Sequence, residues 1–253
     1  MLTNLHFPVD IPVGPITLPA HLVFESLAYL VGLRLYLFLK SWKGDTVESD
    51  QRLWVITAAA VGAAIGSKVL NWFTDPAKLL HDWNNPVFLM QGKTIVGGLI
   101  GGLIAVEGIK RIKGITRRTG DLFAIPLAVG IAIGRIGCFL TGLEDDTYGK
   151  ATSLSWGVDF GDGIKRHPTQ IYEIIFLAAL SLWLYWAWKR PHREGDVFKT
   201  FMADYFGFRL LVDFLKPGVF VFGLTFIQWA CAAMIVFYAA DAPYVFGFRK
   251  AAA

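Results

Sequence analysis

Seven apolar segments, each roughly 20 residues long, constrain the fold of this chain more than any other feature. A helical segment of about that length spans the roughly 30 Å hydrocarbon core of a bilayer. We therefore predict an all-α integral membrane protein, a seven-transmembrane-helix bundle with one polytopic domain over residues 1–253. The segments are 16–39, 53–73, 87–109, 121–142, 168–188, 197–215 and 219–240.

The net charge of +4 is a topology signal once its basic residues are assigned to the connectors. Fourteen Lys and Arg residues fall on one side of the predicted bundle and five on the other. Because the side richer in basic residues faces the cytoplasm, we expect the N-terminus outside and the C-terminus in the cytoplasm. Basic residues distributed in this way do not predict a nucleic-acid partner.

Of the three arginines within predicted membrane segments, Arg34 is near enough to an interface to snorkel, whereas Arg135 and Arg209 are candidates for a polar site. Arg135 occupies an otherwise apolar segment, where a cation costs about 2.5–3.5 kcal/mol on insertion scales and so faces a partner or a polar cavity. Arg209 has Asp213 four residues later on the same helical face, which favours an internal ion pair. The planar fork of an arginine also suits a phosphate. These residues predict a polar site for an anionic headgroup within the membrane.

The run 166–173, RHPTQIYE, opens the fifth segment. Pro168 suits the first helical position, and the free N–H groups of a first turn attract anions. A single histidine at a helix start is usually a cap or an interface residue. Because Gln170, Tyr172 and Glu173 follow His167 closely, a functional site is the alternative to a cap or interface role.

The loop at 143–166 joins the two motif-bearing segments and is predicted to cap the site from the outer face. Its stretch 153–160, SLSWGVDF, is expected to pair as a short hairpin.

Glycines and cysteines in the segments have simpler interpretations. Gly97, Gly98, Gly101 and Gly102 favour close helix packing over a ligand contact, although both are compatible. The two cysteines, Cys138 and Cys231, lie within predicted spans, which argues against a disulfide, and no metal-ligand spacing is present. We expect no metal and no cofactor, and we expect Cys138 to be an inert buried thiol rather than a nucleophile.

Several motifs together resemble the bacterial prolipoprotein diacylglyceryl transferase family over nearly the whole chain. They are GRIGCF at 134–139 with the following Glu144 and Tyr148-Gly149, HPTQIYE at 167–173, IGSK at 65–68, GKTIVGGLIG at 92–101 and FRLLVDFLK at 208–216. The resemblance implies an enzyme of the bacterial cytoplasmic membrane. It would move the diacylglyceryl group of phosphatidylglycerol to a lipobox cysteine of a prolipoprotein and release glycerol phosphate.

The same match assigns the site residues. Those implied for catalysis are Arg135, His167, Glu173 and Arg209. Those implied for substrate binding are Lys68, Gly97, Gly98, Gly134, Gly137, Glu144, Gly149, Gln170, Tyr172 and Asp213.

The chain departs from the family pattern at three places. Val96 replaces the histidine often proposed as the base, and Cys138 and Thr141 replace two asparagines. The turn to Tyr148-Gly149 is also longer than usual. Candidates for a replacement base are His21 and Glu25, one helical turn apart, and His167.

These departures keep other functions open. One is a divergent paralogue with another thiol or hydroxyl acceptor, or another anionic lipid. A second is a non-catalytic lipid-binding or lipid-transport protein on the same bundle, and a third is an ion-coupled transporter. The retained Arg135, His167, Gln170, Glu173 and Arg209 favour the transferase.

Overall fold

Helices dominate the chain, which is described here over residues 6–239 in a computed structural model. The fold divides into two compact units. The first unit takes residues 6–44 and 120–217, and the second takes residues 45–119 and 218–239.

The first unit contains four long helices and two small antiparallel hairpins. Its strands are β1 (Asp10–Val13), β2 (Ile16–Pro19), β3 (Val158–Asp159) and β4 (Lys165–Arg166). Its helices are α1 (Ala20–Lys43), α6 (Asp121–Thr141), α7 (Thr169–Lys189) and α8 (Asp196–Val212), with 3-10 turns at Gly142–Asp145 and Asp213–Leu215.

The second unit contains the remaining helices. They are α2 (Ser49–Trp72), α3 (Pro76–Asp82), α4 (Pro86–Met90), α5 (Ile95–Ile112) and α9 (Phe226–Ala239). Helix α5 packs against both α2 and α9.

Helix α6 is the centre of the first unit, because it packs against α1, α7 and α8. Its first residue, Asp121, accepts hydrogen bonds from the backbone N–H groups of Gly195 and Phe198, at 2.6 and 2.9 Å. A carboxylate satisfies the free N–H groups of a helix start and complements its dipole. Asp121 therefore anchors the first turn of α8 on α6.

Glycines allow α2 and α5 to approach until their backbones touch. A Cβ atom added at Gly101 would lie 2.3 Å from the carbonyl oxygen of Gly62, and one at Gly97 would lie 2.3 Å from that of Gly66. Close packing between small residues holds helices together in lipid. The predicted packing role is confirmed for Gly97 and Gly101, whereas a Cβ at Gly98 would meet only ordinary contacts, the nearest at 3.6 Å.

Within the described residues, four helical stretches are long and apolar enough to cross a membrane. They are Ala20–Lys43, Ser49–Trp72, Asp121–Asp145 and Thr169–Lys189. Their large apolar side chains are extensively exposed, as for Leu30 and Ile65, which suits a lipid environment. The fold is therefore that of an all-α membrane protein.

Three predicted segments begin too early. The first starts in β2 because Gly14, at φ +62°, and Pro15 turn the chain into a hairpin ahead of α1. The third starts in α4, and Gly92, at φ +62°, separates that short helix from α5. The seventh starts before α9, and its last residue, Ala240, lies outside the described residues.

We expect Gly101→Ala to lower the thermal unfolding midpoint in detergent, because the added methyl group must separate α2 from α5. Overpacking of this kind costs about 1–3 kcal/mol. Gly108→Ala is the matched control on the same helix, since a Cβ there meets no atom within 4 Å. Equal midpoints for the two variants would contradict the role of the glycine contact.

Candidate functional site

Arg135 and Arg209 meet around one carboxylate, that of Glu173, and the three side chains come from α6, α8 and α7. Arg135 Nε lies 2.9 Å from Glu173 Oε2, and Arg209 Nη1 lies 3.8 Å from Oε1. The three residues are 5 %, 4 % and 0 % exposed. Charges at this depth persist only when they are paired. The ion pairs therefore join the three helices.

Tyr205 and Asp213 complete the network. Arg209 Nη2 donates to both carboxylate oxygens of Asp213, at 2.9 and 3.1 Å, which confirms the predicted ion pair one helical turn away. Tyr205 Oη donates to Glu173 Oε1 at 2.7 Å. Lys216 Nζ lies 3.6 Å from Asp213 Oδ1.

The network has an excess of positive charge. Its cations are Arg135, Arg209 and Lys216, and its carboxylates are Glu173 and Asp213, so the ordinary ionised forms sum to +1. Arg209 Nε is buried and has no hydrogen-bond partner among the described residues. A fixed, buried group of donors with net positive charge suits a phosphate or a developing oxyanion.

Gln170 lies in the first turn of α7, and its amide is buried. The residue is 1 % exposed, and neither Nε2 nor Oε1 has a hydrogen-bond partner within residues 6–239. A buried polar group without a partner costs about 1–3 kcal/mol. This amide is therefore available to a polar group of a ligand.

His167 and Tyr172, two further predicted site residues from the run 166–173, contact each other. His167 Nδ1 lies 3.2 Å from Tyr172 Oη, which also accepts a hydrogen bond from Trp156 Nε1 at 2.8 Å. Helix α7 itself begins one residue later than predicted, since Pro168 precedes the first helical residue, Thr169.

Backbone hydrogen bonds join the loop 143–166 to the residue before Pro168 at the start of α7 and to the end of the 3-10 turn that follows α8. The backbone N–H of Gly149 donates to the carbonyl of His167 at 2.9 Å, and that of Lys150 donates to the carbonyl of Leu215 at 2.7 Å. A Cβ at Gly149 would lie 2.6 Å from His167 Cβ, so this close approach needs glycine. The loop is thus held beside the first turn of α7.

A short hairpin is present in this loop, but only Val158–Asp159 of the predicted stretch takes part, as β3, and its partner β4 (Lys165–Arg166) lies beyond that stretch. Its turn carries an ion pair between Arg166 Nη1 and Asp162 Oδ1 at 2.6 Å. This hydrogen bond from the Arg166 guanidinium lowers the pKa of the Asp162 carboxyl.

Gly134, Gly137 and Glu144, which the family match assigned to substrate binding, occupy different environments. A Cβ at Gly134 meets no atom within 4 Å, whereas one at Gly137 would lie 3.1 Å from the Cα of His21. Glu144 is exposed on the 3-10 turn. Gly137 therefore has a packing role against α1, and the substrate roles of the three residues stay predictions.

Lys68, Gly97 and Gly98 lie in the second unit. Lys68 Nζ donates to the carbonyl oxygens of Met90 and Gly92, the latter at 2.7 Å. Val96, at the position of the family histidine, is fully buried in α5. Substrate contacts of Lys68 and the two glycines stay predictions.

Sequence reasoning missed three residues at these sites. Tyr205 and Lys216 belong to the charge network, and Asp145 faces His21, with Oδ1 3.2 Å from Nδ1. Tyr205 precedes Arg209 by one helical turn, a spacing that offered a signal. Asp145 had no such signal, because it meets His21 only after the chain reverses.

Comparison with known proteins agrees with these motifs. A family model described as prolipoprotein diacylglyceryl transferase matches residues 8–241. A phosphatidylglycerol–prolipoprotein diacylglyceryl transferase of Methylobacillus flagellatus is 29 % identical over 83 % of this chain and 87 % of its own length. The enzyme of that name from Nitratidesulfovibrio vulgaris is 31 % identical over 90 % of both chains. A third, from Geobacter sulfurreducens, is 31 % identical over 78 % of this chain and 79 % of its own. The chain belongs to the prolipoprotein diacylglyceryl transferase family.

Proposed function

We propose that the protein transfers the diacylglyceryl group of phosphatidylglycerol to the cysteine thiol of a prolipoprotein and releases glycerol phosphate. The observation that carries this proposal is the buried cluster of net charge +1 around Glu173, in a chain of this family. The relatives named above are named for the same lipid and the same acceptor.

The reaction needs a fixed positive site for the phosphate. The phosphodiester carries a negative charge when it binds, and its departing oxygen gains more charge in the transition state. Arg135 and Arg209 meet this need because their ion pairs with Glu173 and Asp213 hold the guanidinium groups in place before substrate binds. Donors that need no reorganisation stabilise developing charge most effectively.

The bond changes are those of a substitution at carbon. The acceptor thiol loses its proton, its sulfur forms a bond to the glyceryl carbon, and the carbon–oxygen bond to phosphate breaks. The electron pair of that bond stays on the phosphate oxygen, so glycerol phosphate leaves and takes up one proton. A base for the thiol and electrostatic stabilisation of the phosphate are the two requirements.

The start of α7 is proposed to contact the polar part of the lipid. Gln170 would donate or accept a hydrogen bond through its buried amide, which has no partner among the described residues. His167 and Tyr172 would border the entrance, and loop 143–166, attached through Gly149, would cover the site.

The membrane arrangement follows from the same proposal. Helices α1, α2 and α5 to α9 would all cross the bacterial inner membrane, with the N-terminus outside. The distribution of fourteen basic residues against five supports this orientation. The acceptor would then reach the site from the outer face.

We expect Arg135→Ala to reduce transfer by about 10²-fold or more, because it removes a fixed donor to the phosphate. The measurement is the mass of a lipobox peptide after incubation with phosphatidylglycerol and the purified protein in detergent. Arg135→Lys should recover only part of the rate, since an ammonium group lacks the planar fork.

Arg34→Ala is the matched control, because Arg34 is an exposed arginine in α1. It should retain full activity. Full turnover by a folded Arg135→Ala variant would contradict the phosphate role. Lipid breakdown by the wild-type protein without peptide modification would indicate another acceptor.

We expect Gln170→Leu to slow transfer while the thermal midpoint stays equal or rises, because the change removes a buried amide that has no partner in the described structure. Gln228→Leu should lower the thermal midpoint and leave the transfer rate of the folded protein unchanged. Gln228 Oε1 accepts from the backbone N–H of Thr225 at 2.9 Å and the threonine hydroxyl accepts from that of Gln228, a capping box at the start of α9. Unchanged transfer by Gln170→Leu would contradict a substrate contact.

A further inference from the structure

Three side chains with the chemistry of metal ligands meet at one end of the first unit. They are His21 at the start of α1, Cys138 near the end of α6 and Asp145 in the 3-10 turn that follows, and their ligand atoms all lie within 4.8 Å of one another. His21 Nδ1 lies 3.2 Å from Asp145 Oδ1. None of the three belongs to the ion network around Glu173.

The fold brings these residues together through two glycines. Gly137 lets the first turn of α1 lie directly against α6, beside Cys138. Gly142, at φ +71°, ends α6 and redirects the chain into the turn that carries Asp145.

Two of the three side chains, His21 and Asp145, have a further partner that orients them. His21 Nε2 lies 3.5 Å from Glu25 Oε2, which leaves Nδ1 facing the cluster. Asp145 Oδ2 accepts a hydrogen bond from Thr147 Oγ1 at 2.6 Å, which leaves Oδ1 facing His21. A metal-bound histidine typically donates its second N–H to a carboxylate in this way.

We propose that His21, Cys138 and Asp145 bind one Zn²⁺ ion, and that its open fourth position takes the thiol of the acceptor cysteine. One thiolate, one imidazole and one carboxylate form a borderline-soft set that suits zinc rather than Mg²⁺ or Ca²⁺. Zinc bonds of about 2.0–2.3 Å place tetrahedral ligands about 3.5 Å apart. Small side-chain rotations would therefore close the cluster around the ion. Three protein ligands leave the fourth position open, as in catalytic rather than structural zinc sites.

This role rests on the proposed transferase function and answers a problem that the sequence raises. Val96 removes the histidine that the family pattern offers as a base. Zinc makes that base unnecessary, because coordination deprotonates a thiol. The released proton leaves through the cluster's accessible side, where the His21 side chain is 28 % exposed.

The position of Arg135 couples the cluster to the phosphate site. Its Nη1 lies 3.7 Å from Cys138 Sγ, and its Nε lies 2.9 Å from Glu173. Zn²⁺ with one thiolate and one carboxylate is neutral, and a bound acceptor thiolate makes the group −1. Arg135 would balance that charge while it contacts the departing phosphate.

The bonds balance without a covalent enzyme intermediate. The zinc-bound acceptor sulfur forms the bond to the glyceryl carbon, the carbon–oxygen bond to phosphate breaks, and the electron pair stays on the phosphate oxygen. The thioether product is neutral and a weaker zinc ligand than the thiolate, so it dissociates. Attack by Cys138 itself would instead leave a thioether on the enzyme, and a thioether is a poor leaving group for a second transfer.

Zinc binding is tested on the tag-free, full-length protein in detergent, stripped with a chelator and reloaded with zinc chloride. Elemental analysis should find one zinc per chain, and cobalt in its place should give the sulfur-to-cobalt absorption of a thiolate site. Cys138→Ser should lose that absorption and bind zinc at least about tenfold more weakly. Cys231→Ser, at the second buried cysteine, is the matched control and should bind zinc as the wild type does.

The possible results test zinc binding at the site separately from the role of zinc in the transfer reaction. Absence of stoichiometric zinc in the wild type, or equal binding by Cys138→Ser, overturns the site. Full transfer by the stripped protein overturns the role of zinc in the reaction. Zinc that depends on Cys138, with no peptide product under any condition, supports the site and overturns the proposed transferase function. Transfer lost on stripping and restored by zinc supports the whole inference.

Discussion

The ion pair between Arg135 and Glu173 is the interaction on which the first unit depends. Neither charge can be buried alone, since an unpaired charge in a low-dielectric interior costs several kcal/mol. Helices α6 and α7 must therefore pack with these residues in register, and Arg209 brings α8 to the same carboxylate. Asp121 of α6 anchors the first turn of α8. Helix α8 is therefore held at its start by α6 and near its end by Glu173 of α7. The same ion pairs thus form the candidate site and hold α6, α7 and α8 together.

Such a network would supply the proposed anion site with little rearrangement. Two carboxylates, Glu173 and Asp213, balance the two arginines, and Lys216 raises the net charge to +1. A phosphate would meet guanidinium groups that are already desolvated and oriented. The buried amide of Gln170 adds a polar group that needs no rearrangement. Preorganisation of this kind is how a protein stabilises charge that develops during a reaction.

The departures from the family pattern concern a proposed base and two amides, whereas the arginines that we propose to bind phosphate are retained. Val96 and Cys138 stand at a base and an amide of the family pattern, while Arg135, Glu173 and Arg209 form one network. In the proposed zinc site, coordination of the acceptor thiol would replace the base. The second unit carries Val96 within α5, whose Gly97 and Gly101 are in close backbone contact with α2.

Periodicity and charge in the sequence determined the helical membrane class, the presence of a short hairpin in the loop, the glycine packing of α5 and the pairing of Arg209 with Asp213. Each of these depends on residues close in the chain or on the length of an apolar run, so no three-dimensional information was needed. The tertiary structure alone decided that Arg135 and Arg209 share Glu173, that Gln170 is buried with no partner in the described part of the chain, and that Asp145 meets His21 and Cys138. These contacts join residues from different helices, and their formation depends on where glycines allow close approach and where the chain reverses. Local patterns do not show which distant segment a glycine will meet or which residues a chain reversal will bring together.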